Sequence, residues 1–421
     1  MYNKRTLKNG LRIITVPMKG TQAVTVLVLV GVGSSNETKE INGISHFLEH
    51  MFFKGTKKRL DTTALIEPLD RIGGMYNAFT GKEQTGFWAK ANSENLDIVL
   101  DWVSDIFLNS QFDEKEIGKE KGVIIQEMKM YLDTPMAYIQ DIWERLLYGN
   151  QPAGWSVIGE KENIMRFERK EFIDYRNRHY SASNTVICVA GNIESQMAEQ
   201  KVKKYFERIK IEKPDPRLKV IEKQINPEVL IHYKKTDQTH LCLGVRGYNM
   251  FHPSRYAQLV LATILGGYMS SRVWISVRAK QGLAYYIKTN AEEMTDTGFL
   301  VTQAGVDHQK VESAINLILK EYCKIKKQRV SKSELQKAKD NIKGYFSLSL
   351  ESSDAQATFY ADQELSTNKI VSPSEEIARI EKVTADDILK VANDLFVPSK
   401  LNLALIGPFE DKKQFQKILK I

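Results

Sequence analysis

The chain has 421 residues, 42% of them hydrophobic, and carries a net charge of +8. This length exceeds what one core serves and points to two or three domains with enough apolar material to fill them. The charge is dispersed through mixed stretches such as "DEKEIGKEKG" and "KEYCKIKKQR", which excludes a nucleic-acid binder built on a basic arm or stripe.

The first residues, "MYNKRTLKNGLRIITV", contain neither an apolar segment nor a cleavage site, so no secretory signal is read there. The run "AVTVLVLVGVG" is too short to span a bilayer and rich in β-branched residues, and it predicts a buried strand. Cys188, Cys242 and Cys323 are odd in number, far apart and set among apolar residues. They are expected to be reduced core residues, which with the missing signal argues for a cytoplasmic protein without a membrane partner.

Residues 43–56 read "GISHFLEHMFFKGT" and hold two of the seven histidines. The spacing predicts a helix from about Gly43 to Phe53, with Gly55 placed as its C-terminal cap. On that helix His46 and His50 lie one turn apart on one face and can chelate one ion. Glu49 is adjacent to His50, and its carboxylate can reach a metal-bound water without being a ligand, which is the position of a general base. Next, "MYNAFTGKEQTGFW" predicts a hairpin turning at Gly81-Lys82. The following helix is capped by Asp113, and "EKGVIIQE" puts Glu120 and Glu127 two turns apart on one face. A carboxylate emerging from "GVIIQEM" needs a partner, because burying it alone is costly. Glu127 is the candidate third ligand, and Glu120 an accessory carboxylate behind the ligands.

The order of patterns then recurs. "DRIGGMYNAFTGKEQTGFWAKANSENLDIVLDWVSDIF" runs strand, turn, strand, helix, and so does "SVRAKQGLAYYIKTNAEEMTDTGFLVTQAGVDHQKVESAINLILKEY". Each half closes on a strand ending in Gly, "NTVICVAGNI" and "LNLALIGPFE", and the offset stays at about 210 to 216 residues, as a duplicated domain requires. Between the copies, "IKIEKPDPRLKVIEKQINPE" has the composition of a linker. The expected organisation is an N-terminal domain over 1–210, a linker over 211–228 and a homologous C-terminal domain over 229–421. Each domain is expected to be α+β, a largely antiparallel sheet flanked by helices. His179, His232, His240, His252 and His308 show no pairing that indicates a second metal.

"HFLEH", followed after 76 residues by Glu127, resembles the inverted zinc motif of the pitrilysin and insulinase family of metallopeptidases, which includes the mitochondrial processing peptidase. The resemblance extends to "EHMFFKGTKKR", "GGMYNAFTGKEQT", "EKGVIIQEM" and, in the second half, "VRAKQGLAYYI". It implies one zinc per chain on His46, His50 and Glu127, water activation by Glu49, and a supporting role for Glu120. It further implies that Arg278 and Tyr285 hold the substrate and its developing oxyanion. The hairpin resembles the strand on which the family lays its substrate by β-augmentation, with Asn77 and Ala78 beside the scissile bond and Phe79 next to them. The second half has no HxxEH: "FHPSRYAQLVLATILGG" stands where the zinc helix would be, and "KAKDNIKGYF" where the third ligand would be.

Larger family members join four such domains around a chamber, so this two-domain chain is expected to pair as a homodimer in which Arg278 and Tyr285 of one copy serve the zinc of the other. The expected function is a zinc-dependent endopeptidase for short or unfolded peptides. The alternatives are a processing peptidase for one precursor and, in another class, a non-catalytic scaffold subunit. The intact motif weighs against the scaffold.

Overall fold

The computed structural model describes residues 2–421. The first half supplies strands β1 (Asn3–Thr6), β2 (Arg12–Pro17) and β3 (Ala23–Val30), helices α1 (Ile44–Met51) and α2 (Thr62–Asp70), then the hairpin β4 (Met75–Thr80) and β5 (Thr85–Asn92). Helices α3 (Leu96–Asn109), α4 (Glu114–Leu132), α5 (Pro135–Tyr148), α6 (Lys161–Arg166) and α7 (Arg169–His179) lead to strand β6 (Thr185–Gly191) and helix α8 (Ser195–Phe206). The second half repeats the order with β7 (Glu228–Tyr233), β8 (Thr239–Arg246), α9 (Arg255–Gly266), β9 (Ala284–Glu293), β10 (Gly298–Val306), α10 (Val311–Lys327), α11 (Lys332–Ser349), α12 (Ser353–Thr367), α13 (Pro373–Glu381), α14 (Ala385–Leu395), β11 (Leu401–Gly407) and α15 (Lys413–Ile418). Residues 211–227 between the halves form no helix or strand.

The first sheet runs β1-β2-β6-β3-β5-β4 and the second β7-β11-β8-β10-β9. In both, one parallel pair (β2 with β6, β7 with β11) is followed by antiparallel pairs only. The second sheet is thus the first without its outermost strand β1, and the fold is α+β with two mixed, largely antiparallel sheets of one topology.

The chain packs into two compact units, and a helix from each half is built into the other unit. One unit comprises residues up to Lys129, Ser156–Leu218 and Ser347–Val371; the other comprises Met130–Trp155, Lys219–Phe346 and Ser372–Ile421. In the first, α12 covers one face of the sheet, so β3 buries Val24, Val26, Val28 and Val30 in one core and Leu27 and Leu29 in another, with Ala357, Tyr360 and Ala361 of α12. A strand covered on both faces reads as a continuous apolar run, which explains "AVTVLVLV". In the second, Leu241, Leu243 and Val245 of β8 face one core while Cys242 faces Trp143 of α5.

The cysteines are all free, and Cys188 and Cys242 are buried as expected, but Cys323 is only half-buried. It lies on α10, whose buried stripe is carried by Ile315, Ile318, Leu319, Tyr322 and Ile325, so its position faces partly outward. Among the described residues no helix is long and apolar enough to cross a membrane.

Candidate metal centre

Helix α1 is amphipathic, with Ile44, Phe47, Leu48 and Met51 fully buried while His46, Glu49 and His50 lie on the other side. Its residue before the first turn, Gly43, has φ of +100°, and a Cβ there would come within 2.8 Å of the Ile158 carbonyl oxygen. Only glycine fits that backbone and that approach. The freed N–H groups of Gly43 and Ser45 donate to the Glu37 carboxylate at 2.8 Å each, and Asn42 Nδ2 donates to it at 2.9 Å. Burial pushes the Glu37 carboxyl up to about 7 despite these donors. The helix ends at Met51, with Phe52 as its cap, two residues before the expected limit. Gly55, at φ +119°, serves the following turn, in which Thr56 N–H donates to the Arg59 carbonyl.

Helix α4 begins where Asp113 accepts from the Lys115 N–H at 2.9 Å. It turns Ile117, Glu120 and Ile124 inward and leaves Val123 exposed, so the apolar stretch around Glu127 is only half covered. Glu127 Oε2 lies 3.7 Å from His46 Nε2 and 3.5 Å from His50 Nε2. The two imidazole rings are 4.7 Å apart, and one ligand atom from each of the three residues lies within 4.8 Å of the others. A tetrahedral ion held at about 2.0–2.2 Å needs donors about 3.3–3.6 Å apart, close to this spacing. Glu127 Oε2 is buried and makes no hydrogen bond, which is costly for a carboxylate oxygen unless a cation takes its place beside it. Two imidazoles and one carboxylate are a zinc-type donor set that leaves a position open.

Glu120 is almost fully buried and bonds His50 Nδ1 at 2.8 Å, turning Nε2 toward Glu127. Lys54 pairs with the other oxygen of Glu120 at 2.6 Å. Burial works to raise the Glu120 carboxyl, but His50 and Lys54 outweigh it and hold it below the usual carboxylate range. Burial likewise opposes charge on His50, yet its bond to Glu120 and the nearby Glu127 carboxylate lift it to about 9; His46, desolvated and beside His50, falls to about 4. One imidazole, His50, therefore carries the proton of the metal-free site. Glu49 is raised by burial and held partly in check by a 2.6 Å hydrogen bond from Thr80 Oγ1.

Asn77, Ala78 and Phe79 lie on β4, the edge strand beside α1. The Ala78 N–H is taken by its neighbour's Asn77 Oδ1 at 2.9 Å, whereas Gly81 N–H, of opposite parity, donates across the hairpin to Gln84. Ala78 thus presents its main chain on the side away from β5. Tyr76 and Ala78 pack on the core that includes α1, and Phe79 on the opposite core with α12. Arg278 and Tyr285 are in the second unit: Arg278 is exposed on a wide helical turn at Trp274–Ala279, and Tyr285 is exposed on β9, the edge strand of that sheet. Sequence reasoning missed Glu37, Lys54 and Thr80, which act on the site by contacts across 5 to 66 residues. Only Lys54, one turn beyond His50, had a local signal.

Comparison with known proteins identifies the family. The family model described as "Insulinase (Peptidase family M16)" matches residues 12–161, and the one described as "Peptidase M16 inactive domain" matches residues 166–342. The zinc protease YmxG of Bacillus subtilis, itself uncharacterized, is 35% identical over 97% of this chain and 98% of its own. An uncharacterized zinc protease of Rickettsia felis is 34% identical with the same coverage. The crystal structure of a protease from Helicobacter pylori superposes with a TM-score of 0.91 at 26% identity, covering 97% of this chain and all of the other. With relatives of this similarity aligned from end to end, the chain belongs to the insulinase family of metallopeptidases, peptidase family M16.

Proposed function

We propose that the protein is a zinc-dependent endopeptidase, one zinc per chain, that hydrolyses short or unfolded peptides in the cytoplasm within a chamber closed by a second copy of itself. The observation that carries this reading is Glu49, a carboxylate outside the ligand set on the same helix face as His46 and His50, with the unpaired edge of β4 alongside. Zinc, when bound, supplies a Lewis acid that acidifies water and polarises a carbonyl. His46, His50 and Glu127 hold it, and Glu120 fixes the orientation of His50. A peptide lies along β4 as an added strand, its main chain bonded beside Asn77, Ala78 and Phe79, which leaves side-chain preference loose. Glu49 takes the proton of the attacking water as the new C–O bond forms, and delivers it to the amine nitrogen as the C–N bond breaks. Arg278 and Tyr285 of the partner copy hold the substrate and the developing oxyanion.

The test is hydrolysis of internally quenched peptides by wild type and Glu49→Gln, with zinc measured on both. Both samples should hold about one zinc per chain, and the variant should lose about 10²–10⁴-fold in rate. Zinc-loaded wild type that cleaves no peptide would remove the general peptidase. Mixing Glu49→Gln with Arg278→Ala chains tests the pairing: activity returns if a site is shared between copies, and the mixture stays inactive if it is not.

A further inference from the structure

We propose that Thr80 is a positioning residue for the general base, aligning the Glu49 carboxylate to the strand that receives the peptide. The inference rests on the peptidase reading above and adds a residue to it. Thr80 Oγ1 donates to Glu49 Oε2 at 2.6 Å, the length of a strong bond to an ionised acceptor. Among the described residues no other side chain hydrogen-bonds this carboxylate. A glutamate on a short helix has three rotatable bonds, so α1 alone sets the position of its Cα but not the direction of its oxygens.

Thr80 is itself held firmly. It is the last residue of β4, paired with Thr85 across the hairpin, and Thr85 Oγ1 is tied to the Val32 carbonyl at 2.8 Å. The turn that follows is pinned from outside, since Gly81 and Lys82 carbonyls accept from Ser34 and Ser35 N–H groups at 3.1 and 2.8 Å. Gly33 packs so close that a Cβ on it would meet the Gly81 carbonyl oxygen at 2.3 Å. The hydroxyl is therefore delivered by a rigid hairpin. Side chains alternate along a strand, so Tyr76, Ala78 and Thr80 point to one face, the face on which Tyr76 and Ala78 pack with α1. The residue proposed to lie beside the scissile bond and the residue that holds the base are thus two places apart on one strand. Geometry of the base is referenced to the peptide's own platform, and the ligand set does not depend on it.

The experiment compares zinc-loaded, full-length wild type, Thr80→Val, Thr80→Ser and Glu49→Gln on one quenched peptide, reading kcat and KM separately and zinc per chain. Valine keeps the shape and strand preference of threonine without the donor, and serine keeps the donor. Thr80→Val should retain its zinc and its KM within about two-fold while kcat falls about 10- to 100-fold, the scale of a misplaced catalytic group. Thr80→Ser should stay within about three-fold of wild type, since it keeps the hydroxyl. A Thr80→Val enzyme with unchanged kcat, a loss that follows zinc content or KM instead, or a serine variant as slow as valine would overturn the proposal. Wild type as inert as Glu49→Gln would instead sink the peptidase reading, and Thr80's role with it.

Discussion

The two sheets share one strand order and one pattern of parallel and antiparallel pairs, apart from the extra β1, yet one unit carries the candidate metal ligands and the other, among the described residues, has no such group. The contrast is sharpest in the helices that follow the equivalent strands β3 and β8. Counted from its first residue, α1 places His46, Glu49 and His50 where α9 places Ala257, Val260 and Leu261, all of them buried. In α4 and α11, Glu120 stands level with the buried Ala338 and Glu127 with Tyr345, which is exposed, so neither carboxylate has a counterpart. One scaffold therefore accepts, in this helix, either a polar face with metal-type side chains or an apolar face that fills a core. Topology and chemistry are separable here, and the site lives in a handful of side chains.

The largest expected effect tests whether the units really are interleaved. Trp143 belongs to the first half in sequence, but it is fully buried against the second sheet, its ring 5.9 Å from Phe299. Trp143→Ala should cost about 3–5 kcal/mol of stability. Hydrogen exchange should show the loss in β8, β10 and β11 rather than in β3 and β6. Loss centred on the first sheet would mean that the halves fold as they are written.

A smaller effect sharpens the chemical side of the comparison. Glu120→Gln removes the charge that orients His50 and should weaken zinc binding about 10- to 100-fold without changing the number of ligands. Competition with a chromogenic chelator measures it.

The smallest effect is a single proton. In the metal-free chain His50 is raised to about 9 from an ordinary 6.5. A histidine raised on folding contributes stability that is fully present below about 6.5 and is lost as pH rises through about 9. Zinc needs a neutral imidazole, so uptake between those limits should release close to one proton. Calorimetry in buffers of different ionisation enthalpy reads that number. It should fall toward zero above pH 9 and shift down in Glu120→Gln; a release independent of pH would show that His50 is neutral before the metal arrives.

Much of the site was legible because its signals are local. His46, Glu49 and His50 lie within one helical turn, and the helix itself is announced by apolar residues at its own period. Glu127 was legible at a distance because a carboxylate in an apolar stretch asks for a partner, although that stretch proved half exposed. Glu37, Lys54 and Thr80 look like ordinary surface residues in sequence, and only their placement against α1 and Glu120 gives them a task.

The sequence by itself determined the repeat, the alternation of strand and helix, and which half carries the metal-type residues. These depend on periodicity and residue identity within short windows, where backbone geometry translates spacing directly into faces. The tertiary structure alone decided that α5 and α12 each cover the sheet of the other half, and which second groups orient His50 and Glu49. An apolar stripe states that a helix must be buried but not against what, and a threonine hydroxyl acquires its acceptor only when strand and helix meet.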